Sequence, residues 1–178
     1  MKTSAVLIGY MGAGKSTVAR ALATKSGAKL LDTDELLTER FGMSISRFFE
    51  LQGEEAFRER ETALLKELSE QGFSGILSTG GGMPLREANR ALLKKLGHVF
   101  YLKATPQVIA GRLWGHKGRP LLEGVKDKEE LTERIGSMLK VREEAYLAAA
   151  DTVLDTDDND LARVLEQISH IVSLAEFS

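Results

Sequence analysis

Short apolar runs separated by longer amphipathic segments organise this chain. Ala5-Val6-Leu7-Ile8 is a continuous apolar run that ends at Gly9, the pattern of a strand buried on both faces. The spacing then predicts a helix over residues 15–26, stopped by Gly27. Further strands are expected at Ala28-Lys29-Leu30-Leu31, Gly75-Ile76-Leu77-Ser78, His98-Val99-Phe100-Tyr101-Leu102 and Thr152-Val153-Leu154. Leu161, Val164, Leu165, Ile168 and Ile171 recur with the helical period and mark a closing helix. Strands alternating with helices predict an α/β fold, a parallel sheet with helices on both faces. Ligands of such sheets gather beyond the carboxyl ends of the strands. The chemically suggestive residues of this chain lie just after the first, second and third strands.

Two stretches interrupt the alternation. Residues 33–61 read as a helical insertion after the second strand. Residues 113–125 are polar and carry Gly115, Gly118, Pro120 and Gly124, a composition suited to a lid over a site. At 178 residues the chain is long enough for one domain, expected to span 1–178. Its net charge of −2 gives no reason to expect nucleic acid or an anionic membrane as partner, so any positive site must be local. There are no cysteines, which excludes disulfides, thiolate metal sites and cysteine nucleophiles. The apolar run at 5–9 is too short to span a bilayer and lacks the pattern of a secretory signal, so a cytoplasmic protein is expected.

Gly9-Tyr10-Met11-Gly12-Ala13-Gly14-Lys15-Ser16 fits G-x-x-x-x-G-K-[ST] at every fixed position, between a predicted strand and a predicted helix. The glycines allow the backbone to curl so that successive N–H groups face phosphate oxygens. The following helix aims its positive end at the same point. Gly12, Ala13, Gly14, Lys15, Ser16 and Thr17 are therefore expected to grip the phosphates of ATP. Lys15 would reach the β- and γ-phosphates, and the Ser16 hydroxyl would bind Mg²⁺, a cation that prefers oxygen.

Asp32 and Asp34 flank Thr33 after the second strand. Alternate residues of an extended segment point the same way, so both carboxylates are expected to face the site. One would serve Mg²⁺ through water and the other a substrate hydroxyl, with helix capping as the competing role. Arg142 falls near the middle of an apolar stripe formed by Leu131, Ile135, Met138, Leu139 and Tyr146, where a guanidinium needs an anionic partner. Arg58 stands three residues before Glu61 and can pair with it on one helix, which would hold it ready for a carboxylate or phosphate. Arg119 lies in the expected lid, and Arg112 just before it is a candidate to stack on adenine. Gly80-Gly81-Gly82 permits close approach of a ligand, and no Walker-B-like acid precedes it, which favours Asp32 on the metal side.

Taken together, these residues resemble the shikimate kinases, within the nucleoside-monophosphate-kinase-like group of P-loop enzymes. The resemblance rests on residues 9–17, Leu31-Asp32-Thr33-Asp34, Phe57-Arg58 with Glu61, Thr79-Gly80-Gly81-Gly82, Gly118-Arg119-Pro120-Leu121-Leu122, and Arg142 with Tyr146. It implies a three-layer α/β/α fold with a five-stranded parallel sheet of order 2-3-1-4-5, a substrate-binding insertion and a lid. It also implies transfer of the γ-phosphoryl of ATP to the 3-hydroxyl of shikimate; a monomer is expected. In that family Asp34 would bind the reacting hydroxyl. Arg58, the glycines at 80–82 and Arg142 would hold shikimate, with the two arginines on its carboxylate. Lys15 and Arg119 would act on the transferred phosphate, and Asp32 would orient Mg²⁺ through water.

Two other readings stay open on the residues alone. A related small-metabolite kinase, such as a gluconate kinase, would also use paired arginines. A nucleotide-dependent switch is the other class, although the Asn-Lys-x-Asp segment of a guanine-binding switch is absent.

Overall fold

The computed structural model describes residues 3–115 and 123–174; Arg119 and most of the expected lid lie outside them. β1 (Ala5–Ile8) is fully buried and sits at the centre of the sheet. It pairs in parallel with β3 (Ile76–Ser78) on one side and β4 (His98–Lys103) on the other. β2 (Leu30–Asp32) and β5 (Thr152–Asp155) close the edges, giving the order β2-β3-β1-β4-β5. The register sets Asp32 level with Ser78, and Ser78 level with Leu7. β2, β3 and β1 thus end within a residue of one another, and the loops that leave them share one rim.

The period-2 alternation of strand side chains divides the core into two layers. Ala5 and Leu7 of β1 pack with Ile76, Phe100 and Leu102, against Val18 and Leu22 of α1 (Lys15–Ser26) and Val164 and Ile168 of α7 (Leu161–Ile171). Val6 and Ile8 face the opposite way, with Leu77, Val99 and Tyr101. There they meet Leu64 and Leu65 of α3 (Ile45–Glu70), Leu93 of α4 (Glu87–Leu96), Ile109 of α5 (Pro106–Leu113) and Leu139 of α6 (Lys128–Ala149). Each leucine or isoleucine so enclosed stabilises the fold by about 1.5–3 kcal/mol. This is the three-layer α/β/α architecture with the expected strand order.

The chain departs from the sequence expectation after β2. Thr33 already opens a helix, α2 (Thr33–Phe41), and Asp32 is its cap: Oδ1 accepts from the Asp34 N–H at 2.9 Å and the Glu35 N–H at 3.3 Å. Strand alternation therefore does not aim Asp32 and Asp34. The helical insertion also differs from a single run ending near 61. α2 stops at Gly42, which takes the left-handed conformation at φ 63°, and α3 continues to Glu70. α3 is bent at Gly53, where φ 84° and ψ 165° leave the helical region for one that only glycine adopts readily. No helix among the described residues is long and apolar enough to cross a membrane.

Candidate active site

The loop after β1 turns through backbone angles that its glycines make possible. Gly12 and Gly14 have φ of 82° and 101°. At Gly9 a Cβ would fall 2.6 Å from the Leu102 carbonyl oxygen, so glycine lets the loop lie directly on β4. α1 begins without a side-chain cap and without an acidic residue in its first turn. Its leading N–H groups are thus left for an anion. Lys15 folds over the loop and donates to the carbonyls of Gly9 at 2.7 Å and Tyr10 at 3.0 Å. Burial lowers its pKa to about 8, while Asp34 and Asp32 pull in the opposite direction. Ser16 and Thr17 stand exposed at the mouth.

Asp34 reaches the site from the first turn of α2 and packs against the glycine run, where a Cβ on Gly80 would come within 2.5 Å of its Oδ1. The buried Thr33 hydroxyl accepts from the Gly80 N–H at 2.9 Å, which fixes that contact. Burial and the neighbouring Asp32 raise the Asp34 pKa, and Lys15 and Arg58 oppose the rise. Arg58 pairs with Glu61 at 2.7 Å and with Glu54 at 3.0 Å, all on α3, and its guanidinium lies over Gly82. Glu61 is almost entirely enclosed. Burial raises its pKa to about 7 despite Arg58, and its Oε1 has no partner among the described residues. Arg142 lies against the face of Tyr10, 5.6 Å from the ring centre, and its charge opposes the rise that burial gives the pKa of the Tyr146 hydroxyl. That hydroxyl donates in turn to the Gly81 carbonyl at 2.7 Å. None of the ion pairs among the described residues uses Arg142.

These groups line one cavity of about 670 Å³. Lys15, Ser16 and Asp32 belong to one end; Asp34, Arg58, Gly80, Gly81, Gly82 and Arg142 belong to the other. The cavity is built to take a phosphate chain at the loop and a small hydroxylated anion at the arginines. Arg112 is more tightly held than a stacking role requires. It donates to the Gly12 carbonyl at 3.1 Å, to Asn159 Oδ1 at 2.6 Å and to the Thr156 carbonyl. It also borders a smaller cavity of about 150 Å³ between Thr17, Val18, Leu161 and Val164.

Sequence reasoning missed several contributors. Tyr10 carries Arg142 and donates to Met138 Sδ at 3.1 Å, yet it occupies a variable position of the phosphate-loop pattern. Thr156 and Asn159 hold Arg112 from a loop without any motif.

A family model described as shikimate kinase matches residues 11–173. The chain is 41% identical over 167 residues to a shikimate kinase of Enterococcus faecalis, covering 93% of this chain and 95% of that protein. It is 40% identical over 165 residues to a shikimate kinase of Thioalkalivibrio sulfidiphilus, covering 92% and 84%. In three dimensions it is similar to the shikimate kinase of Acinetobacter baumannii solved in complex with shikimate. The TM-score is 0.82 and the identity 34%, over 95% of this chain and 92% of that one. The Bacteroides thetaiotaomicron shikimate kinase matches with a TM-score of 0.84 and 31% identity, over 96% and 98%.

Proposed function

The chain belongs to the shikimate kinase family, and on that premise we propose how its own residues divide the reaction. It is a kinase that phosphorylates shikimate in aromatic biosynthesis, with ATP as phosphoryl donor. The acceptor is the 3-hydroxyl. The observation that carries the assignment is the convergence of Asp34, Arg58 and Arg142 on the cavity that also opens onto Lys15.

ATP lies with its phosphates on the backbone amides of Gly12, Ala13, Gly14, Lys15, Ser16 and Thr17. Lys15 exchanges its hydrogen bonds to the Gly9 and Tyr10 carbonyls for the β- and γ-phosphates. The smaller cavity takes the adenine, with Arg112 at its edge. Shikimate enters the other end, its carboxylate between Arg58 and Arg142 and its ring against Gly81 and Phe49. Bidentate guanidinium pairing with a carboxylate orients the ring as well as binding it. The 3-hydroxyl then donates to Asp34 and faces the γ-phosphorus. A loose phosphoryl-transfer transition state depends on this alignment more than on base strength, so Asp34 positions the hydroxyl first and receives its proton late. Arg119, outside the described residues, would act on the transferring phosphate as the resemblance implies.

The donor set near the loop suits Mg²⁺. Asp32 spends only Oδ1 on capping α2, Ser16 is exposed beside it, and the buried Ser78 hydroxyl on the same wall has no partner among the described residues. Ser16 would hold the ion directly and Asp32 through water, and the ion would neutralise charge on the β- and γ-phosphates. One chain supplies every group named for both substrates, which supports a monomer. The test is coupled ADP release with shikimate and with gluconate. Shikimate should drive turnover and gluconate should not; equal rates without acceptor would overturn the assignment.

A further inference from the structure

Asn89 is fully buried on the first turn of α4 and is not part of the cavity wall. Both ends of its amide are nevertheless used. Nδ2 donates to the Met83 carbonyl at 3.0 Å, and Oδ1 accepts from the Thr62 hydroxyl at 2.7 Å. Met83 directly follows Gly82. Thr62 lies one turn beyond Arg58 on α3, and its hydroxyl is also 3.0 Å from the Arg58 carbonyl. Asn89 therefore spans the two walls between which the Arg58 guanidinium sits.

Among the described residues the other side chain that joins α3 to the glycine turn is Arg86, at its far end, which reaches the Thr62 hydroxyl at a long 3.5 Å and pairs with Glu55. Glu54 and Glu61 fix Arg58, but both belong to its own helix and set its position only within α3. Arg90 ties the turn to α4 through the carbonyls of Pro84 at 2.8 Å and Leu85 at 3.2 Å, without touching α3. Arg86 pairs with Glu55, which is 76% exposed, so water and salt screen that link.

We propose that Asn89, through Thr62 and the Met83 carbonyl, is a positioning residue for shikimate: it sets the distance between α3 and the glycine turn, and so the place of the Arg58 guanidinium over Gly82. Asparagine suits the task because one side chain offers a donor to a carbonyl and an acceptor to a hydroxyl. Aspartate would set an oxygen against the Met83 carbonyl. Leucine would fill the space but take the donor from the Met83 carbonyl and the acceptor from the Thr62 hydroxyl. The inference rests on the reading that Arg58 binds the substrate carboxylate.

Steady-state kinetics of N89L, T62V, T62S and R58A test it, with thermal melts of each. Asn89→Leu is expected to raise the shikimate KM about tenfold, with the ATP KM and kcat within about twofold of the parent. Thr62→Val should raise the shikimate KM in the same sense and Thr62→Ser should restore it, and this pair decides the matter if N89L does not fold. The double variant should be no worse than N89L, because both changes break one link. A merely structural role would lower the melting temperature and leave the shikimate KM of the folded enzyme unchanged. That outcome, with R58A still raising the KM, would overturn the positioning role alone. An unchanged KM in R58A would overturn the carboxylate reading and this inference together.

Discussion

The guanidinium of Arg58 occupies the space that a side chain at position 82 would need: a Cβ on Gly82 would overlap both terminal nitrogens. Gly82 itself has φ −89° and ψ −8°, which any residue adopts. Alanine there would carry no backbone penalty, so its effect isolates the collision with Arg58. Gly82→Ala is expected to raise the shikimate KM roughly 10- to 100-fold, the loss of a hydrogen bond to a charged group. The ATP KM should stay within about twofold, since the phosphate loop is untouched. Titration of each substrate in the coupled assay measures both.

Arg142 offers a different experiment. It rests on Tyr10 and Tyr146 and enters no ion pair among the described residues, so little of the fold depends on its charge. Arg142→Ala should reduce kcat/KM for shikimate by two orders of magnitude or so while lowering the melting temperature only slightly. Arg142→Lys should recover little, because a lysine can neither lie flat on the Tyr10 ring nor make a paired hydrogen bond to a carboxylate. Calorimetric melts alongside kinetics separate the two effects.

Burial brings the Lys15 ammonium down to about 8, so the free enzyme loses that charge within an accessible pH range. The neutral amine attracts phosphate poorly, and kcat/KM for ATP should fall as pH rises through about 8. Bound phosphates favour the charged form and raise its pKa, so the corresponding fall in kcat should lie at higher pH. A kcat/KM profile for ATP that stays flat to about pH 9.5 would contradict this.

Glu61 titrates near neutrality, with a pKa raised to about 7 by burial. A carboxylate ligand on Arg58 brings a second negative charge towards Glu61 and raises its pKa further. Shikimate binding should therefore take up protons at about pH 7, and by linkage affinity should strengthen as pH falls through that region. Isothermal titration in buffers of different ionisation enthalpy reads the uptake directly, and Glu61→Gln should abolish it.

Much of the fold was legible in the sequence because its signals are local. β1 and α1 are bounded as the apolar run, the glycine loop and Gly27 indicate, and α7 follows its apolar stripe. Where the outcome depended on packing, the pattern fell short. Asp-Thr-Asp looked extended, but capping by Asp32 was worth more than another strand residue, so Asp34 reaches the cavity from a helix. The bend at Gly53 left no periodic trace, because apolar positions resume after it. In the site, Lys15 and the glycines were readable from spacing, and so was the pairing of Arg58 with Glu61 one helical turn away. Tyr10, Thr156, Asn159 and Asn89 were not, because each acts on a partner distant in sequence.

The central position of β1 also governs when the nucleotide grip can exist. Ala5 pairs with Ile76 on one side and His98 on the other, and Gly9 leans on Leu102. The residues that hold phosphate thus precede in the chain both of the strands that support them. A nascent chain that stops before His98 carries the whole phosphate motif and no phosphate site. Such distant parallel pairing is slow to form, so nucleotide binding marks the end of folding rather than its start.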